Sequence, residues 1–151
     1  MIGPLVVVTG ETLDPVAFAA RLDLRDAGAV TTFTGLCRSE DGRLEALELE
    51  HYPLMAERKL REIADEAVRR FGLLAMGVAH RFGVVPVGDP IVAVVAASRH
   101  RQASFDGASF VMDYLKTDAP FWKKEHGVDG TEGGWVSAAD KDDAARDRWK
   151  R

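Results

Sequence analysis

Two pairs of strand-like segments, each joined by a link too short for a crossover, constrain this chain more than anything else in it. Ala29 to Cys37, rich in Val, Thr and Phe, reads as one strand, and Leu44 to Tyr52 reads as the next. Ser39 to Arg43, SEDGR, is the polar turn between them. Leu74 to Phe82 and Ile91 to Ala97 make the second pair, linked by Gly83 to Pro90 with its two prolines and two glycines. A parallel crossover needs about a dozen residues or more, so both joins predict antiparallel neighbours. The class that follows is α+β, with a mostly antiparallel sheet and flanking helices, rather than a doubly wound parallel sheet. In Leu44 to Tyr52, Leu47 and Leu49 alternate with Glu48 and Glu50. The alternation slips at Ala46 and leaves the register open.

Other segments carry a helical period or a further strand. Leu5 to Val8 is a short apolar strand. Asp14-Pro15 reads as an N-cap followed by proline at the first helical position, opening a short helix through Phe18 and Leu22 that ends before Gly28. Pro53 opens the longest helix. Ala56, Leu60, Ile63, Ala64, Ala67, Val68 and Phe71 form its buried stripe, and Gly72 ends it. Glu57 with Arg61 and Glu66 with Arg70 are one turn apart on its wet face. A third helix follows Ser98-Arg99-His100-Arg101. Phe105, Ala108, Val111, Met112 and Leu115 share one of its faces, and Pro120 stops it near Thr117. Then come a glycine-rich loop, His126 to Gly134, a short strand at Trp135-Val136, and a terminal helix capped by Ser137 and ending near Trp149.

The length, 151 residues, suits one domain over residues 1–151 with a real core. Hydrophobic residues at 46% and charged residues at 29% place the chain among soluble globular domains. No apolar run is long enough to span a bilayer, and MIGPLVVVTG lacks the basic start of a secretory signal. One cysteine, Cys37, fits a reducing cytoplasm. A net charge of -4 argues against a general nucleic-acid binder, while local basic clusters still suit a small anion.

Several chemistries are excluded residue by residue. Cys37 beside Arg38 is a tempting nucleophile, but no base neighbours it in sequence, and a small core residue at a strand end is the better reading. His51, His80, His100 and His126 are scattered without metal-ligand spacing. Glu48 and His51 point to opposite faces of one strand, so no metal site is expected. For His51 and His80 an imidazole in or beside a sheet is preferred. Gly83 to Gly88 opens no helix and is not a phosphate loop, and no Ser-His-Asp set is identifiable.

What remains is cationic: Arg38, His100, Arg101, Lys116, Lys123 and Lys124. Most surface cations are solvated charges. These stand at element ends, where sites collect, and His100 and Arg101 at a helix N-terminus oppose the helix dipole. Phe121 and Trp122 adjoin the lysines as an apolar wall. Such a setting pushes a lysine toward its neutral, reactive form. The residues alone thus point to an anion pocket with one or two functional lysines.

At these positions the chain resembles the large, catalytic subunit family of molybdopterin synthase. The matching stretches are GAVTTFTGLCR (Gly28 to Arg38), LELEHYPLMAE (Leu47 to Glu57), HRFGVVPVGD (His80 to Asp89), SRHR (Ser98 to Arg101) and MDYLKTDAPFWKKE (Met112 to Glu125). The last is the most specific. Arg99 stands where the family often has alanine, Cys37 where an aliphatic residue or threonine is usual, and the loop after Arg38 is short. The resemblance implies an α/β-hammerhead-like fold and transfer of sulfur to cyclic pyranopterin monophosphate, forming the dithiolene of molybdopterin. It implies a small ubiquitin-like partner bearing a thiocarboxylate on its C-terminal Gly-Gly, a homodimer within a heterotetramer, a cytoplasmic location, and no metal or other cofactor. It implies Lys116 and Lys123 as catalytic residues. The substrate site it implies comprises Leu36, Cys37, Arg38, His100, Arg101, Lys116, Lys123, Lys124 and Glu125, with some groups supplied across the dimer. The alternative on the residues alone is a non-catalytic anion-binding or tail-docking module.

Overall fold

The elements run β1 (Leu5–Thr9), α1 (Pro15–Ala19), β2 (Ala29–Leu36), β3 (Leu44–His51), α2 (Pro53–Phe71), β4 (Ala75–Arg81), β5 (Gly83–Pro86), β6 (Pro90–Ser98), α3 (Arg101–Asp118), β7 (Phe121–Gly127) and α4 (Asp140–Asp147), closed by a 3-10 turn (Arg148–Lys150). This is a computed structural model, and it describes residues 3–39, 41–118, 121–135 and 140–150. Pro120, Val136 and Ser137 lie outside the described residues.

Two sheets organise the chain. The larger has the order β1-β4-β6-β2 and the smaller β5-β3-β7. β1 pairs with β4 in parallel, and every other pairing is antiparallel. The expected partnership of β4 with β6 is present, from Ala75↔Ala97 to His80↔Val92. The expected hairpin of β2 with β3 is not. β2 pairs with β6 instead, from Ala29↔Ser98 to Leu36↔Pro90, while β3 lies in the smaller sheet. Burial explains the choice. Val92 to Ala97 are buried on both faces of β6, so β6 needs neighbours on both edges, and the Val/Thr/Phe run of β2 supplies one. β3, with Glu on alternate positions, suits a half-wet sheet.

The link Gly83 to Pro90 also does more than turn. Gly83–Pro86 pairs with β3, and left-handed backbone at Gly83 (φ 84) and Gly88 (φ 98) bends the chain at its ends. The slip at Ala46 is a register shift between Leu44 and Ala46 in the β3–β7 ladder. Phe121–Gly127 is β7, which takes in Phe121 to Glu125, unassigned by sequence, and His126-Gly127, expected to begin the glycine-rich loop. Trp135 is not in a strand, whereas Glu132 bridges to His126.

α2 and α3 cover one face of the larger sheet. Leu60, Ile63, Ala64 and Val68 meet Val78, Val94, Ala96, Ala108, Val111 and Leu115 there. α1 covers the other face, with Phe18 against Ala79, Ala93 and Val95. Cutting the fully buried Leu60 to alanine would cost about 2–5 kcal/mol. Gly72 terminates α2 in the left-handed conformation, φ 63. Asp14 caps α1 by accepting from Ala17 N–H at 3.1 Å. Phe105, expected on the buried stripe of α3, is 54% exposed. On α2, Glu66 pairs with Arg69 rather than Arg70, whose guanidinium lies 5.5 Å from the Phe110 ring centroid. Arg61 donates to the Pro4 carbonyl at 3.2 Å. No helix among the described residues is long and apolar enough to cross a membrane.

Candidate functional site

Strand alternation divides the residues of β7 between two settings. Phe121, Lys123 and Glu125 share one face, and Trp122, Lys124 and His126 share the other. Lys123 and Glu125 line a cleft of about 650 Å³ with Arg38, Arg43, Leu47 and Thr131. On the opposite face Lys124 pairs with Glu132 at 3.0 Å and lies 5.6 Å from the Trp135 ring centroid. His126 Nε2 is 2.9 Å from the Glu48 carboxylate. The pairing with Glu132 raises the Lys124 pKa and lowers that of Glu132. Lys124 therefore faces away from Lys123 and is ion-paired with Glu132.

Arg38 reaches the cleft because the residue before it is anchored. Cys37 is 2% exposed and packs in a small core with Leu49 and Val85. Its N–H donates to the Asp89 carbonyl at 2.9 Å, and its carbonyl accepts from Gly88 N–H at 2.7 Å. Burial pushes the thiol pKa up. Cys37 is thus the core residue its sequence suggested. Its side chain, implied as a substrate contact, is buried, and both backbone groups are bonded. Leu36 beside it is 57% exposed. Asp89 also receives Arg81 at 3.2 Å, which ties the end of β4 to the same corner.

Lys116 is exposed in the last turn of α3, where its charge suits the helix dipole. It comes to the neighbourhood of Lys123 around His80, a residue of β4 that is 4% exposed. Burial is the main reason that His80 titrates low, at about 4; Lys116, His51 and Lys123 push it further down, against an opposing hydrogen bond to Arg81. His51 is also lowered, first by burial. His51 and His80 are imidazoles in sheets, as their sequence suggested, and His80 is also within electrostatic reach of both lysines. The sequence reading missed that proximity, as it missed the rim formed by Asp129, Thr131 and Glu132. One usable signal was a histidine and an arginine, His80-Arg81, ending an apolar strand.

His100 and Arg101 do not join this cluster within one chain. Fifteen positions separate Arg101 from Lys116 on α3, about 22 Å along the helix. The β2–β6 register places Arg38 beyond one end of the ladder and His100 beyond the other, roughly 25 Å away. Both residues are exposed. β2 is the edge strand of its sheet, and it exposes Val30, Phe33 and Leu36. The cleft is strongly charged, with Arg38, Arg43 and Lys123 set among Asp41, Glu125, Asp129 and Glu132.

Comparison with known proteins now gives this site a context. A family model described as "MoaE protein" matches residues 8–118. The molybdopterin synthase catalytic subunit of Rhizobium meliloti (strain 1021) is 65% identical over 126 residues, which cover 83% of this chain and 81% of that one. The same subunit of Brucella melitensis is 52% identical over 147 residues, covering 96% and 90%. The solved molybdopterin biosynthesis MoaE protein of Burkholderia ambifaria superposes with a TM-score of 0.82 at 41% identity, covering 98% of this chain and 99% of that one. From this breadth of similarity, the chain belongs to the MoaE family, the catalytic subunits of molybdopterin synthase.

Proposed function

We propose that this chain, as one domain, transfers sulfur from a thiocarboxylated Gly-Gly tail of a small carrier subunit to cyclic pyranopterin monophosphate in the cytoplasm. The observation that carries the reading is the convergence of Lys116 and Lys123 around His80, with Lys123 in the same cleft as Arg38. The precursor carries a phosphate, and the incoming tail ends in an anion. Both call for cations held on rigid elements. A Gly-Gly tail has no side chains to clash with a narrow entrance. Transfer requires protons moved on and off the pterin and a carboxylate leaving group stabilised, and lysines do both. We assign Lys116 as general acid/base and Lys123 to hold the thiocarboxylate and share the proton work. Arg38, Leu36 and Glu125 border the substrate.

His100 and Arg101 enter this reading through a second copy. An antiparallel β2–β2 pairing about a two-fold axis would bring the His100 end of one chain beside the Arg38 end of the other. The assembly is then a dimer of large subunits, each with one small subunit. The test is a product assay with purified protein, thiocarboxylated small subunit and precursor, beside a partner-binding measurement. Molybdopterin formation that is abolished by Lys116→Ala, with partner binding kept, supports the reading. Near-normal turnover by Lys116→Ala would leave a tail-docking module as the better description.

A further inference from the structure

Four rings pile up where the two sheets meet, and they connect His80 to the cleft lysine. His80 stacks on Phe121 with ring centroids 3.7 Å apart and planes at 17°. His51 stacks on the same Phe121 at 5.7 Å and packs on Phe82 at 4.3 Å. His80 belongs to the larger sheet, and Phe121 and His51 belong to the smaller one. The pile is therefore a joint between them.

The two sides of this joint are held to different degrees. His80 is paired on both edges, with Val8 on β1 and Val92 on β6. Its Nδ1 lies 2.8 Å from the Arg81 carbonyl. A carbonyl only accepts, so Nδ1 carries the proton and the ring orientation is set. Phe121 begins β7, an edge strand paired with β3. Among the described residues the isolated bridge to Glu132 reaches β7 at His126, near its far end. The fixed ring of His80 is thus the anchor of the β7 start to the larger sheet. Phe121 and Lys123 share a face, about 7 Å apart along the strand. A roll or slide at Phe121 moves the Lys123 amine with it.

We propose that His80 is a positioning residue for sulfur transfer: its rigid ring seats Phe121, and through Phe121 it aims Lys123 into the cleft. The inference rests on the reading of Lys123 as a working residue of that cleft. An uncharged ring is the right kind of platform. His51 on β3, Lys116 on α3 and Lys123 on β7 all act on His80, and Arg81 next to it is tied to Asp89. A cation among them would repel the amines that the anionic substrates require.

Two substitutions separate the ring from its hydrogen bond. His80→Phe keeps a flat ring and removes the polar nitrogens. His80→Asn keeps a donor near the Nδ1 position and removes the ring. Misplacement by ~1 Å can cost ~100-fold, so His80→Asn should lower kcat by about tenfold or more, with KM for precursor moving by less than about threefold. His80→Phe should restore kcat to within about threefold of wild type, because the stack survives. Amide exchange should quicken at Phe121 to Glu125 in His80→Asn and not in His80→Phe. If His80→Asn fails to fold, Phe121→Leu removes the ring from the other side of the stack and should give the same kcat loss. Wild-type kcat in the ringless variant, or a loss that His80→Phe shares in full, overturns the proposal. Should the wild-type protein form no product at all, the functional reading fails. The exchange contrast then still decides whether His80 holds β7.

Discussion

The two faces of β7 present neighbouring lysines to opposite surroundings. Lys123 opens onto a cleft lined by Arg38 and Glu125, with Phe121 beneath the same face stacked on His80. Lys124 turns the other way, onto Glu132, with His126 and Glu48 alongside. What a cation does is set by what the fold leaves for it to meet. Lys124 has a carboxylate already. Lys123 is on the face that opens onto the cleft.

The largest effect is expected on the cleft face. Lys123→Ala should cut turnover by about 10³-fold, roughly 4 kcal/mol of transition-state stabilisation, in a single-turnover product assay. Equal losses in Lys123→Ala and Lys124→Ala would show that total charge, rather than the face, is what counts.

The platform under that face makes a prediction about pH. His80 titrates at about 4 in the fold and near 6.5 when unfolded, so the unfolded chain binds the extra proton between those values. Its contribution is present above pH 6.5 and is lost as pH falls toward 4, by up to about 3 kcal/mol. Denaturant midpoints across that window should fall for wild type and flatten for His80→Phe. Parallel slopes for the two proteins would contradict the burial of a neutral imidazole.

Arg101 tests the part of the site that one chain lacks. Arg101→Ala should weaken precursor binding by about 1.5–3 kcal/mol, measured by calorimetry, with small-subunit binding kept. Mixing Arg101→Ala with Lys123→Ala protein should recover turnover, because a mixed dimer holds one intact shared site. No recovery after confirmed exchange of chains would place Arg101 outside the site.

Smaller effects are expected beneath and behind the cleft. Cys37→Ala should cost about 1 kcal/mol of stability by loosening its small core, with turnover near wild type. Complete loss of turnover in a folded Cys37→Ala protein would point to a sulfur-carrying cysteine. Lys124→Ala should change turnover by less than about threefold, since what it breaks is a half-exposed salt bridge to Glu132 rather than a cation facing the cleft.

Much of the scaffold was legible because it is local. The 3.6-residue stripe of Ala56 to Phe71, the Pro53 start and the Gly72 stop define α2 without help from distant residues. Asp14-Pro15 does the same for α1. The antiparallel β4–β6 pair followed from its short link. Arg38, Lys116 and Lys123 could be singled out from residue type and place, and the family could be recognised from the ordered stretches that carry them. Tertiary structure alone decided which strand meets which. β2 leaves its sequence neighbour because β6 is apolar on both faces and needs a second edge covered. The register of β7 on β3 decided that Lys123 and Lys124 part company. The meeting of His80 with Phe121 could not be read from a chain in which they stand 41 positions apart. A strand's period says which residues share a face. Only packing says what that face will touch.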